Sequence, residues 1–145
     1  MNKNQQKFAR YAQLINQIVT DTEAEQDEMS PKFEALKAAE EAGTIADFDA
    51  EAYATTKTLF AAGTAHYQKM LEQLEAAQAP ARLLGNHKLL TGAFRDFTLG
   101  CEAMLASLHE TPADFDATAF DAAEATQDAA TTKLMKHIQK ITAMG

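Results

Sequence analysis

The chain has 145 residues, of which 21 are acidic and 13 basic, for a formal net charge of −8, and it contains 6 Gly, 3 Pro, one Cys and no Trp. Its length suits a single domain that buries a core without disulfides, and its many Ala, Glu, Gln, Lys and Leu residues are typical of an all-helical protein. The acidic balance weighs against binding to a phosphate backbone as the main activity, and no apolar run is long enough to span a membrane.

The first predicted helix covers about residues 3–42, because apolar side chains recur there at steps of three and four. Pro31 lies inside this stretch, and proline is tolerated in the first turn of a helix but not deeper. We therefore expect the helix to be kinked or broken near Pro31. Its apolar stripe consists of Phe8, Tyr11, Ile15, Ile18, Thr22, Met29, Phe33 and Leu36.

The second predicted helix covers about residues 47–79. Gly43 is placed to end the first helix in the left-handed conformation that glycine tolerates. Asp47, Asp49 and Glu51 then crowd the start of the next helix, where the helix dipole favours negative charge. The apolar stripe of this helix consists of Tyr53, Thr56, Phe60, Gly63, Tyr67, Met70, Leu74 and Ala77.

The last two predicted helices cover about residues 81–110 and 113–143. Thr111, Pro112 and Asp114 form a start signal for the fourth helix. Thr111 is the predicted N-cap, and the Asp114 side chain is placed to accept from the backbone N–H of Thr111 in a capping box. The third carries the clearest stripe, Leu83, His87, Leu90, Phe94, Phe97, Cys101, Met104 and Leu108. The stripe of the fourth consists of Phe120, Ala123, Ala130, Leu134, His137, Ile141 and Met144.

Short links between four long amphipathic helices force neighbouring helices to run antiparallel. We therefore predict an all-α fold, an antiparallel up-down-up-down four-helix bundle formed by one domain over residues 1–145. This antiparallel arrangement of the helices places several basic side chains at one end of the bundle. Because positive charge is unfavourable at a helix start, helix capping does not explain the cluster. It is either a solvated helix terminus without a specific role or a contact surface for an acidic partner or anionic surface, and the second is our hypothesis. Its members are Lys3, Lys7, Arg10, Lys133, Lys136 and Lys140.

The four histidines do not form a metal pattern. Di-metal bundles use a Glu three residues before a His, but those positions hold Gly63, Leu84, Ala106 and Leu134, so we expect no metal, no cofactor and no catalytic residue. Tyr11, His87 and His137 fall at similar heights on their helices and form a predicted polar layer. Such a layer either fixes the register of the helices or, together with Tyr67, lines a pocket for a small molecule.

One part of the chain resembles a known group of proteins. Pro80, His87, Leu90, Phe94 and Gly100, between a Leu-rich helix end and another amphipathic helix, resemble the central hairpin of small helical-bundle domains of unknown function from Gram-positive bacteria. The resemblance implies a bacterial helical bundle and no particular activity.

The function predicted from these patterns is that of a non-catalytic protein-binding or scaffolding bundle. The alternative is a bundle that binds a small molecule in an internal pocket near His87 and His137. We expect the partner to be another protein rather than nucleic acid or membrane, and the chain to be a monomer or a weak homodimer. We expect a cytoplasmic location, or export if an amino-terminal signal has been removed.

Overall fold

The computed structural model describes residues 2–144 and confirms the all-α, antiparallel four-helix bundle, with no strand in this range. Short 3₁₀ turns lie in the three links, at Ile45–Asp47, Ala81–Leu83 and Pro112–Asp114. The four helices are α1 (Lys3–Glu41), α2 (Ala50–Ala76), α3 (Leu84–Ser107) and α4 (Ala117–Met144). None of the helices in the described range is both long and apolar enough to cross a lipid bilayer.

Helix α1 begins at a capping box and continues without a break through Pro31. The Asn2 side chain accepts from the backbone N–H of Gln5 at 2.8 Å, and the Gln5 side chain accepts from the backbone N–H of Asn2 at 2.9 Å. Of the two expectations for Pro31, the break is therefore excluded. Met29 and Phe33, on either side of the proline, both pack against the core, and this packing holds the helix together where the proline removes a backbone hydrogen bond.

The link between α1 and α2 follows the sequence signals, and the link between α3 and α4 departs from them. Gly43 adopts the predicted positive φ of 72°, and the Asp49 carboxylate caps α2 by accepting from the N–H of Ala52 at 2.8 Å. The predicted start of the fourth helix at residue 113 is wrong by four residues, because Thr111 and Asp114 bond to each other across a 3₁₀ turn instead. Asp116 accepts from the N–H of Ala119 at 3.0 Å and starts α4.

The buried side chains are mostly those of the predicted stripes. They form two clusters: a larger one from the middle of the bundle to the end that holds the α2–α3 link, and a smaller one at the opposite end. Met144 and His137 are the exceptions on α4, since Met144 is exposed and His137 is only partly buried. Cys101 is buried, as expected for a small apolar side chain.

The helices do not pack equally closely. Helices α3 and α4 approach each other most closely, and at Gly100 the Gln127 side chain donates to the backbone carbonyl at 3.0 Å. Helices α1 and α2 are joined by the Thr22 hydroxyl, which donates to the Met70 sulfur. Helices α1 and α4 make far fewer close contacts than α3 and α4 do. A cleft therefore remains between α1 and α4.

Candidate functional site

The cleft between α1 and α4 is an apolar cavity of about 250 Å³. Its floor is built by Leu90, Phe94 and Phe97 of α3, which belong to the larger core cluster. Its walls are apolar side chains of α1 and α4, such as Val19 and Ile138. Because the floor is part of the core, an occupant of the cleft would contact the side chains that hold the bundle together.

A second cavity of about 210 Å³ continues the cleft toward the other end of the bundle. It shares Gln26 and Phe97 with the first cavity, and Phe33, Cys101 and Met104 also line it. The two together extend along α1 from Ile15 to Phe33, a length of about 27 Å at 1.5 Å per residue.

Beyond the second cavity, contacts between α1 and α4 close the cleft. The Lys37 ammonium lies 3.0 Å from the Asp121 carboxylate and 2.9 Å from the Glu124 carboxylate. Phe33 and Phe120 stack with their ring centroids 5.5 Å apart. These contacts tie α1 to α4 at this end of the cleft.

Glu40 lies within the same charged contact, and its oxygen Oε2 is buried with no hydrogen-bond donor among the described residues. Burial, together with the neighbouring Asp121 carboxylate, raises the pKa of Glu40 to about 7. A protonated Glu40 donates to Asp121, whereas an ionised Glu40 repels it. The contact between α1 and α4 is therefore tightest when Glu40 is protonated.

Negative charge lies along the rim of the cleft. Glu23 is the one ionisable side chain lining the first cavity. Asp27 follows Glu23 by one helical turn, and Asp128 precedes the lining residue Thr131 by one turn; all three acids are exposed. Residues 11–31 and 96–132 contain no Lys or Arg. On the α4 side, Lys136 precedes the lining residue Gln139 by one turn, and the three carboxylates of the rim outnumber this lysine.

Tyr11 and His87 form the predicted polar contact between helices. The Tyr11 hydroxyl lies 2.8 Å from Nδ1 of His87, and Nε2 of His87 lies 2.9 Å from the Leu74 carbonyl. Because a carbonyl can only accept, the hydrogen-bond network assigns the proton to Nε2. Tyr11 then donates to Nδ1, and the neutral imidazole joins α1, α2 and α3.

Burial dominates the protonation of this pair. It lowers the pKa of His87, although the hydrogen bond to the Leu74 carbonyl acts in the opposite direction. Burial also raises the pKa of Tyr11 to about 12. Both groups are thus held in the neutral forms that the hydrogen bonds require.

The structure does not bring His137 or Tyr67 into this pair. Nδ1 of His137 is buried without a hydrogen-bond partner in the described range. Burial lowers the pKa of this histidine, and the positive charge of Lys140 adds to the effect. Tyr67 lies two helical turns before Leu74 and packs edge-on against Phe97 with ring centroids 5.0 Å apart. Of the four residues predicted to form a layer or pocket, Tyr67 alone lines the second cavity, and none lines the first.

The six basic side chains predicted to contact a partner lie near one end of the bundle, at the start of α1 and toward the end of α4. All are exposed except Lys7, which is partly buried. Within residues 2–144, no ion pair involves any of the six. They are Lys3, Lys7, Arg10, Lys133, Lys136 and Lys140.

The cleft was not predicted from the sequence. Val19, Gln26 and Thr131 fall beside the apolar stripes rather than on them, and a gap between two helices depends on how far apart their axes lie. In the described part of the chain, no group of three or more His, Cys, Asp or Glu side chains is placed to hold a metal ion. No family model, curated protein or solved structure matches this chain.

Proposed function

We propose that the chain is a non-catalytic protein-binding bundle and that the cleft between α1 and α4 receives a helix of the partner protein. The observation that carries this proposal is the apolar floor of Leu90, Phe94 and Phe97 at the base of an open edge of the bundle. A groove with an apolar floor between two helices is the surface that amphipathic helices recognise.

The dimensions of the cleft support a helix as the occupant. Pockets for small molecules enclose most of the ligand, whereas this cleft is open along one edge and consists of two adjoining cavities of about 250 and 210 Å³. A docked helix presents apolar side chains at positions i, i+3, i+4 and i+7. Two adjoining cavities in a row suit such a series of side chains better than they suit one compact ligand.

Exposed apolar surface at the mouth supports the same conclusion. Met135 lines the cleft and is 57% exposed. Burying apolar surface is favourable by about 25 cal/mol per Å². A partner helix that covers Met135 and Val19 removes their apolar surface from water, and this burial stabilises the complex.

A catalytic role has less support from these residues. General acid–base catalysis needs a carboxylate or histidine held in a cleft with a shifted pKa, and the ionisable side chain of the first cavity, Glu23, is exposed at the rim. The partner we propose is another protein, and the chain acts as a monomer or a weak homodimer in the cytoplasm. The basic cluster at the end of the bundle stays a predicted second contact surface.

Binding of a model helix tests the proposal. The probe is a fluorescent peptide of about 18 residues, the length of the cleft at 1.5 Å per residue, with Leu at helical spacing and equal numbers of Lys and Glu elsewhere. We expect saturable binding, measured by fluorescence anisotropy, that Val19→Trp weakens at least about tenfold by filling the cleft.

The matched control is Leu89→Trp, which adds the same ring at an exposed position of α3 outside the cleft. We expect this variant to bind the peptide as the unmodified chain does. Absence of peptide binding, or equal weakening by both substitutions, would contradict the proposal.

A second candidate, the binding of a small apolar molecule, is favoured by one observation. The Tyr67 hydroxyl is buried beside the second cavity with no hydrogen-bond partner in the described range, and an unsatisfied buried hydroxyl costs about 1–3 kcal/mol. Apolar cavities of about 150 Å³ already bind benzene. This candidate predicts saturable NMR shifts at Phe97 and Cys101 with benzyl alcohol, weakened by Tyr67→Phe; no saturable shifts would exclude it.

A further inference from the structure

From the charge around the cleft, we infer that the partner helix is basic: an amphipathic helix of about 18 residues whose apolar face fills the cleft and whose polar face carries Lys or Arg. This inference rests on the proposed function, because it specifies the chemistry of the helix that the cleft receives. It concerns the polar face of that helix, which the apolar floor alone does not determine.

Acidic side chains lie on both rims of the cleft. A helix lying in the cleft has its apolar face on Phe94 and Phe97, so its flanking polar positions come beside the two rims. Glu23 and Asp27 occupy the α1 rim, and Asp128 occupies the α4 rim. Both flanks of the docked helix therefore meet carboxylates.

The nearby cations do not balance these carboxylates. Lys37, at the closed end of the cleft, is already paired with Asp121 and Glu124. At 3.6 residues per turn, Lys133 and Lys140 lie on the opposite side of α4 from Met135, which lines the cleft. Lys136 lies one turn before the lining residue Gln139, and the three carboxylates of the rim outnumber it.

The other polar side chains that line the first cavity are uncharged. Gln26, Thr131 and Gln139 line the first cavity without carrying charge, so they accept or donate hydrogen bonds to a partner of either sign. The choice between a basic and an acidic helix therefore depends on the three carboxylates. Exposed charges of this kind act mainly on the association rate and on the choice of partner, and salt screens them.

Two peptides of opposite charge test the inference. They share the Leu positions of the charge-balanced probe, and one carries Lys and the other Glu at every polar position. At about 50 mM salt, where screening is weak, we expect the Lys peptide to bind at least about tenfold more tightly than the Glu peptide. We expect this preference to shrink as the salt concentration rises.

Two triple variants separate the rim from the overall charge of −8. The rim variant is Glu23→Gln, Asp27→Asn and Asp128→Asn. The control removes the same number of charges from exposed positions outside the cleft, by Glu28→Gln, Glu72→Gln and Asp96→Asn. We expect the preference for the Lys peptide to fall below about threefold in the rim variant and to persist in the control.

Each outcome has one meaning. If the charge-balanced peptide binds in the cleft but the Lys and Glu peptides bind equally, the partner is not selected as basic and the proposed function still stands. If both triple variants reduce the preference equally, net charge rather than the rim is responsible, and the inference is overturned. If none of the peptides binds in the cleft, the proposed function itself fails. Self-association that Val19→Trp abolishes would make a second copy of this chain the occupant instead.

Discussion

The contact between Tyr11 and His87 is a single side-chain pair that joins three helices. Each group has its partner: the hydroxyl donates to Nδ1 of the imidazole, and Nε2 donates to the Leu74 carbonyl. Because buried polar groups cost most when one partner is removed, this pair contributes more to specifying the arrangement of α1, α2 and α3 than to net stability.

A double-mutant cycle measures that coupling. His87→Leu leaves the Tyr11 hydroxyl without its acceptor, and Tyr11→Phe leaves Nδ1 of His87 without its donor, so we expect each change to lower the free energy of unfolding by about 1–3 kcal/mol. The double variant should cost less than the sum of the two, as measured by urea unfolding. Additive losses would show that the two side chains act independently.

Glu40 gives a pH dependence of predictable sign. Its pKa is about 7 in the fold against 4.5 for an ordinary glutamate, so the folded chain binds more protons between these values. Its stabilising contribution is therefore present below pH 4.5 and is lost as the pH rises through 7. Glu40→Gln keeps a donor for Asp121 at every pH.

We expect Glu40→Gln to leave stability nearly unchanged at about pH 5 and to raise it, relative to the unmodified chain, by on the order of 1 kcal/mol at about pH 8. The measurement is urea unfolding across this range. The control is Glu34→Gln, which removes an exposed carboxylate of the same helix. A pH profile identical to that of the control would contradict the assignment.

At the scale of the helices, the close approach of α3 and α4 depends on Gly100. A Cβ atom at this position would lie 2.8 Å from Cγ and 3.3 Å from the backbone nitrogen of Gln127. We expect Gly100→Ala to lower the free energy of unfolding by about 1–3 kcal/mol, because the helices must shift to admit the methyl group.

Gly92, on the same helix, is the matched control for that substitution. A Cβ atom there meets nothing within 4 Å, so Gly92→Ala should stabilise the chain by about 0.5–1 kcal/mol through helix propensity alone. Thermal unfolding compares the two variants. Stabilisation by both would mean that α3 and α4 are not held at this distance by Gly100.

The helices could be predicted because their apolar spacing is set by local sequence. The start of α4 could not be placed correctly, because Thr111 and Asp116 are both good capping residues and only the folded link selects Asp116. The continuity of α1 through Pro31 likewise depends on packing by Met29 and Phe33 on either side, which outweighs a local preference.

The candidate site was less predictable than the helices. The contact between Tyr11 and His87 was predicted correctly from their heights along the bundle. Tyr67 was grouped with them, but it lies two turns before Leu74, the residue of α2 that His87 contacts. The cleft depends on the separation of α1 from α4, and helical periodicity contains no information about the distance between two axes.

At the scale of the whole molecule, α1 is expected to be the least stable helix. Its side facing α4 borders the cleft from Ile15 to Phe33, about half of its length, and its ties to α4 lie near Lys37. Helix α3, in contrast, packs closely with both α2 and α4. Local opening follows the density of packing contacts.

Amide hydrogen exchange checks this ranking. We expect backbone amides of α1 between Ile15 and Gln26 to exchange at least about tenfold faster than those of α3 between Leu90 and Cys101. If the charge-balanced peptide slows exchange of these α1 amides to the rate of the α3 amides, the peptide lies against α1. Equal rates in the free chain would mean that the bundle opens only as a whole.

Cys101 is the one cysteine of the chain and lies buried at the second cavity, where burial raises its pKa to about 12. Met29 and Phe33 of α1 line the same cavity, so a thiol reagent approaches this sulfur along the cleft, past α1. The kinetics of alkylation of the natural chain therefore report access to this part of the cleft, with no engineered label. Any molecule seated in the cleft would protect the sulfur and slow its alkylation.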